Sequence, residues 1–375
     1  MILKRMLKEE WRTQSKLYRG RYLAVLPVMI FLMTYIGGRV LTGFSLAPVT
    51  DLGLLISAFG FFTGLAAGSI GFSSKDAVEN VLGDSNFLVF SSRTLPVRKM
   101  VLIRDFLVKD LVFYLGLYLG PVALGAVLVS SQLLVYTGYM MALFVAGLFL
   151  SVVAANLAVK IPSRDSFLNY ENFPVPPLSR KSVLDISRSS GGLLKIVMSM
   201  GVLLGLYWYI VSYVPIASYL LQNPLMSFAV ITGMMSVTVY NWLNTYDGVK
   251  DYSYLPVDSS KLLEAKFEAF KLVSAVIVAV VLSVAYMIYG GNLVLALAIG
   301  LTTAYYIGAI TMYESGLNPN EKMINALVFS KFLIAVNILV MPLLALTSFQ
   351  SNPGPILAVL LPMLVIGKVV ESIKT

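Results

Sequence analysis

The chain has 375 residues and a mass of 41.0 kDa; 58% of its residues are hydrophobic, 13% are charged, and the mean hydropathy is +0.82. A soluble domain is about a quarter charged, so this chain carries too few charges to cover a water-exposed body, and most of its surface must meet lipid. The sequence contains no cysteine and no histidine, which excludes disulfides, thiolate nucleophiles, the usual zinc ligand sets, haem ligation by histidine and imidazole acid–base chemistry.

The first twenty-one residues are charged, not a short apolar core with a small-residue cleavage site, so they do not read as a cleavable signal. Leu3, Met6, Leu7, Trp11 and Tyr18 recur at helical spacing among Lys, Arg and Glu. That pattern predicts an amphipathic helix over residues 1–21 on the inner leaflet; a basic tail attracted to anionic lipid is the alternative.

Ten apolar runs follow, each near the length an α-helix needs to cross a hydrocarbon core: Tyr22–Leu41, Leu52–Phe72, Leu111–Ser130, Tyr136–Val159, Leu193–Val214, Leu225–Tyr246, Phe270–Tyr289, Leu293–Tyr313, Val328–Ser348 and Ile356–Val370. Backbone polar groups in lipid must be satisfied within a segment, so an all-α polytopic integral membrane protein of about ten transmembrane helices is expected. An even number of spans puts both termini on one side. With this division, 27 of the 28 basic residues fall on that side and only Arg39 falls opposite. Among acidic residues only Asp51 is opposite. The positive-inside rule makes the charged side, with both termini, cytoplasmic.

No ionisable residue lies near the middle of any span, which disfavours coupling to a proton or sodium gradient. Nor does the chain carry a P-loop: its Gly367–Lys368 pair is followed by Val369, with no glycine at the upstream spacing. Small residues instead form ridges: Gly60, Gly64 and Gly68 in span 2, Gly116 and Gly120 in span 3, Gly201 and Gly205 in span 5, and Gly300, Ala304 and Gly308 in span 8. Such ridges serve internal helix packing or a dimer seam, the seam best placed along span 2. Tyr207, Tyr305 and Tyr306 are candidates for lining a substrate pathway, or else they are core and interface anchors.

Two loops on the charged side resemble each other. The coupling loop, residues 73–110, opens with a short helical stretch containing Asp76, Ala77, Val78 and Glu79, then turns at Leu95-Pro96-Val97. The loop at 247–269 turns at Leu255-Pro256-Val257, and Leu102 and Leu262 follow at the same distance from the first leucine of each turn. The offset carries spans 1–4 (residues 22–159) onto spans 5–8 (193–313), a four-span unit occurring twice, or chance likeness between interfacial helices. Residues 160–192 link the copies and show no obvious helix of the coupling type; Pro174-Val175-Pro176-Pro177 predicts a stiff extended spacer. Residues 314–375 add a loop and spans 9 and 10. In that loop Asn318-Pro319-Asn320-Glu321 predicts a turn and a helix start, a third contact for a cytoplasmic partner.

On these residues the chain resembles the membrane (permease) subunits of type-2 ABC exporters. Those proteins begin with a cytoplasmic amphipathic helix and carry, between spans 2 and 3, a loop ending in a Leu-Pro-Val/Ile turn before a basic, apolar helix. Arg93-Thr94-Leu95-Pro96-Val97-Arg98-Lys99 and Tyr254-Leu255-Pro256-Val257-Asp258-Ser259-Ser260-Lys261 carry the likeness. It implies a multi-pass protein of a prokaryotic cell membrane. It also implies that Asp76, Ala77, Val78 and Glu79 form the core of a coupling helix docking in a groove of a separate cytoplasmic ABC ATPase. That ATPase would hold ATP and Mg, with no cofactor in this chain. The family's usual unit has six spans and one such loop; ten spans and two loops leave both a homodimer and a fused pseudo-dimer open.

A short amphipathic helix between two spans can pass a rigid-body closure of ATPases to the membrane, its flanking charges setting register. The expected partners are such ATPase subunits and the bilayer, with no nucleic acid among them. The expected activity is export of an amphipathic substrate (a lipid, peptide or drug-like molecule), not enzymatic catalysis in this chain. An ATP-independent secondary transporter or lipid flippase is the alternative. A lipid-modifying enzyme is the weakest reading, for want of catalytic groups.

Overall fold

The computed structural model describes residues 2–17, 21–44, 48–69, 99–160, 176–188, 194–214, 221–246, 258–323, 326–349 and 353–374. Among them every regular element is helical: α1 (Ile2–Leu17), α2 (Arg21–Gly43), α3 (Val49–Ser69), α4 (Lys99–Tyr114), a π-turn (Leu115–Leu119), α5 (Gly120–Val129), α6 (Leu133–Lys160), α7 (Pro177–Arg188), α8 (Leu194–Tyr213), α9 (Pro224–Met234), α10 (Ser236–Tyr246), α11 (Ser259–Tyr289), α12 (Leu293–Ser315), α13 (Pro319–Lys322), α14 (Ala326–Phe349) and α15 (Pro353–Lys374). Among the described residues eight helical segments are long and apolar enough to cross a membrane, and two shorter apolar ones, Val49–Leu65 and Gly201–Tyr213, fall where spans 2 and 5 are expected. This is the architecture of a multi-pass membrane protein. The chain forms two compact units, residues 1–162 with 205–218, and residues 163–204 with 219–375.

In the first unit α3 and α6 lie side by side in close backbone contact. A side chain at Gly60 would strike the backbone of Met140, and one at Gly64 that of Phe144 and Leu148. Reciprocally, Gly147 of α6 meets the backbone of Phe61 and Leu65. With lipid on all sides there is no hydrophobic drive between helices, so glycine is used to maximise dispersion contact along the seam. A second pair, α2 and α5, is built alike, with Gly38 against Val129 and Gly125 against Thr34 and Phe31. The outward face of α2 stays apolar and exposed, with Met29 54% and Met33 72% accessible, as a lipid-facing surface should be. The π-turn precedes Pro121, which cannot donate to the carbonyl four residues back and would clash with it; the chain widens there, and the Gly120 N–H reaches back to Leu115.

The N-terminal segment is helical as expected. Its apolar residue Met6 is buried, and α1 packs on α4 and α2 of its own unit, leaving Lys4, Arg5, Lys8, Trp11 and Arg12 exposed. The two charges expected on the far side both serve helix ends. Arg39 donates to the Leu128 carbonyl (3.1 Å) in the last turn of α5 and lies 5.6 Å over the Tyr35 ring. Asp51 is buried in the first turn of α3, where the macrodipole favours a carboxylate.

The second unit is organised around α12, which packs against α9, α10, α11, α14 and α15. Gly300 accepts Val278 and Leu282 of α11, Gly308 faces the Phe270 ring, and Gly233 of α9 rests on Thr303 and Gly300. Asn292 caps the start of α12 by accepting from the Leu295 N–H at 3.1 Å. Gly290 and Gly291, both at positive φ, make the tight α11–α12 turn, and Gly316 at φ 60° ends α12.

Span 6 falls on one apolar helical segment of membrane-crossing length, Pro224–Asn244, whose ladder slips at Met235, where the Thr238 N–H bonds back three residues to the Met235 carbonyl (3.0 Å). The close approach of Gly233 to α12 and the reach of the Ser236 hydroxyl toward the Ala304 carbonyl (3.4 Å) accompany the slip. Span 7 belongs to a longer helix, since α11 starts at Ser259, with Asp258 accepting from the Ser260 N–H, and runs unbroken to Tyr289. The linker 160–192 contains a helix, α7, with Pro177 at its first position, where a missing N–H costs nothing. Ser179 and Ser182 of α7 are fully buried and Val183 packs on the core, so this short helix docks against α10 and α11.

Candidate functional site

The charged end of the second unit holds the densest side-chain chemistry among the described residues. Glu371, in the last turn of α15, has a side chain only 9% exposed, and both its oxygens are occupied. Lys271 of α11 donates to Oε1 at 3.0 Å; Tyr305 of α12 and Lys368 of α15 donate to Oε2 at 2.7 and 2.9 Å. Lys271 also pairs with Glu268 at 2.6 Å and lies 5.3 Å over the Phe267 ring. Two ammonium groups and two carboxylates balance in one node joining three helices, which makes burial of the carboxylate tolerable. The Tyr305 ring is brought in by Gly367, whose missing side chain leaves it room. Nearby in sequence, the fully buried Lys266 donates to the Leu243 carbonyl at 3.2 Å, placing a cation at the C-terminal end of α10.

Beyond this node the same helices open into a cleft of about 360 Å³. One wall is the first turns of α11 (Ser259, Ser260, Leu263); the second is the turn after α12 (Gly316, Leu317, Asn318) with Lys322 of α13; the third is Lys374 of α15. Its shape follows from helix ends: Asp258 starts α11, Gly316 stops α12, and Asn318–Pro319 restarts the chain as α13. Lys374 lies 5.1 Å over the Tyr313 ring. Neither Lys322 nor Lys374 has a carboxylate partner among the described residues. The cleft offers two cations, hydroxyls and a leucine-lined side. Among the described residues no group of three metal-ligating side chains occurs. Such a site suits binding.

The residues singled out from the sequence are distributed as follows. Asp76, Ala77, Val78, Glu79, Leu95, Pro96, Val97, Leu255, Pro256 and Val257 lie outside the described residues. Gly60 and Gly64 are occupied by the α3–α6 seam within one chain, and Gly68 is on the same helix. Gly116 and Gly201, also expected in packing ridges, face open space. Tyr305 and Tyr306 are adjacent but diverge: Tyr305 turns to Glu371, while Tyr306 is buried and donates to the Ala335 carbonyl of α14 at 2.5 Å. Tyr207 is buried in the first unit. The structure therefore does not bring Tyr305 and Tyr306 to one lining.

Sequence reasoning missed Glu371 and the pairing of Lys271, which count there only as charges at span ends. The available signal was a carboxylate placed three residues after Lys368 at the edge of an apolar helix, the spacing of a same-face pair. The turn and helix start expected at Asn318-Pro319-Asn320-Glu321 are present as the start of α13, and Asn318 and Lys322 line the cleft. No protein-family model, curated protein or solved structure matches the chain.

Proposed function

We propose that this chain is the membrane (permease) subunit of an ATP-driven exporter, moving an amphipathic substrate with a separate cytoplasmic ATPase that supplies ATP and Mg. The observation that carries the reading is the cleft. Three segments far apart in the chain, each on the charged side of the span assignment, converge on one concave surface. One wall begins directly after Leu255-Pro256-Val257, the second of the two similar loops. In this reading the chain spans a prokaryotic cell membrane ten times, with both termini cytoplasmic and a four-span unit repeated. The segment around Asp76–Glu79 acts as the coupling helix. Absence of native cysteine makes the topology testable by single-cysteine labelling from either side.

The functional test is co-purification of an ATPase with the full chain and stimulation of its ATP hydrolysis. Replacing Leu255-Pro256-Val257, or making Asp76→Ala with Glu79→Ala, is expected to release the ATPase; equal binding to all forms overturns the coupling assignment. The second reading, an ATP-independent carrier, is favoured by the slip in the helix ladder at Met235, since broken spans can present backbone groups to a substrate or ion. Movement of substrate by the purified chain alone along an ion gradient would establish that reading in place of the first.

A further inference from the structure

We infer that the cleft of the second unit seats an acidic segment of the cytoplasmic partner, with carboxylates against Lys322 and Lys374. The inference rests on the permease reading and adds the chemistry of the contact. Five lysines at this end of the unit, Lys266, Lys271, Lys322, Lys368 and Lys374, differ in what they meet. Lys266, Lys271 and Lys368 are used by the fold itself, on the Leu243 carbonyl, Glu268 and Glu371. Lys322 and Lys374 belong to separate segments, line the same cleft, and have no carboxylate partner among the described residues. Lys374 comes three residues after the anchored Glu371 and is steadied over Tyr313, so its ammonium is held at the cleft. Leu263 and Leu317 give the same surface an apolar component. A cationic rim around a small apolar contact is complementary to an acidic amphipathic segment, and charge complementarity of this kind sets register and on-rate. Contacts between exposed charges weaken with salt, so the interaction should be salt-sensitive.

The test uses the full chain with its co-purifying ATPase and a carbodiimide, which activates a carboxylate and leaves as a urea when a lysine amine, having lost its ammonium proton to solvent, attacks and forms the amide. Expected are amide cross-links from Lys322 or Lys374 to Asp or Glu of the ATPase, diminished at high salt. The double reversal Lys322→Glu/Lys374→Glu should weaken ATPase binding at least tenfold, while Lys331→Glu, an exposed lysine on α14, should leave it unchanged. Thermal unfolding of the variants checks that the fold persists, and the wild-type cross-links decide the matter if it does not. Cross-links confined to other lysines, or full binding by the double reversal, overturn the acidic-segment assignment while leaving the permease reading intact. Failure of the wild-type chain to hold any ATPase sinks the permease reading itself, and this assignment with it.

Discussion

The two units solve one physical problem by different means. In the first, α3 and α6 meet backbone to backbone because Gly60, Gly64 and Gly147 remove the side chains between them. In the second, glycines also admit neighbours, but two of them, Gly308 and Gly367, admit aromatic rings, and the helix ends are tied by the Glu371 node. Where lipid supplies no hydrophobic drive, a seam can be held by dispersion along a smooth surface or by a few polar contacts that have no better partner in the membrane. The first device fixes helices over their length. The second fixes them at one end, the end that carries the cleft.

The comparison can be broken most severely at the backbone seam. Gly64→Leu places a side chain where the Phe144 carbonyl lies, and backbone cannot yield as a flexible side chain can. We expect a loss of about 3 kcal/mol or more, read as failure to fold or early unfolding in detergent. Glu371→Ala should come next, at about 3 kcal/mol, because it removes the carboxylate shared by Lys271, Lys368 and Tyr305 and leaves Lys271 with Glu268 alone. The estimate is at the lower end of the buried-pair range because Lys271 is still 29% exposed. Gly308→Ala should cost about 1–2 kcal/mol, since the ring of Phe270 must move but is a side chain. Asp258→Ala removes the cap of α11 and should cost about 1 kcal/mol. Gly116→Ala, facing open space, should change stability by less than about 0.5 kcal/mol. Equal effects at Gly64 and Gly116 would show that the seam does not hold the first unit.

Much of the helical layout was legible in the sequence because lipid imposes one rule: a long apolar run must satisfy its backbone internally. The described residues of the ten runs are helical apart from Ser130, Val214 and Met235. What escaped is local competition. Pro174-Val175-Pro176-Pro177 predicts a spacer, yet Pro177 is a good first residue for a helix whose Val183 finds a core to bury in. Nothing in the composition of span 6 says that Gly233 will meet α12 closely and that the ladder will slip at Met235. The ridges show the same limit: identical small-residue spacing is a seam at Gly60 and Gly64 and open surface at Gly116.

The scarcity of charge, with apolar runs whose backbone must be satisfied internally, determined that the chain is helical and multi-pass in a membrane. Which charges are used inward and which remain available was decided only by tertiary structure. Lys368 and Lys374 are near neighbours on one helix, but one falls beside the buried Glu371 and the other beside a cleft. Sequence spacing sets the face of a helix on which a lysine lies. Whether a carboxylate waits there depends on which other helices pack against that face.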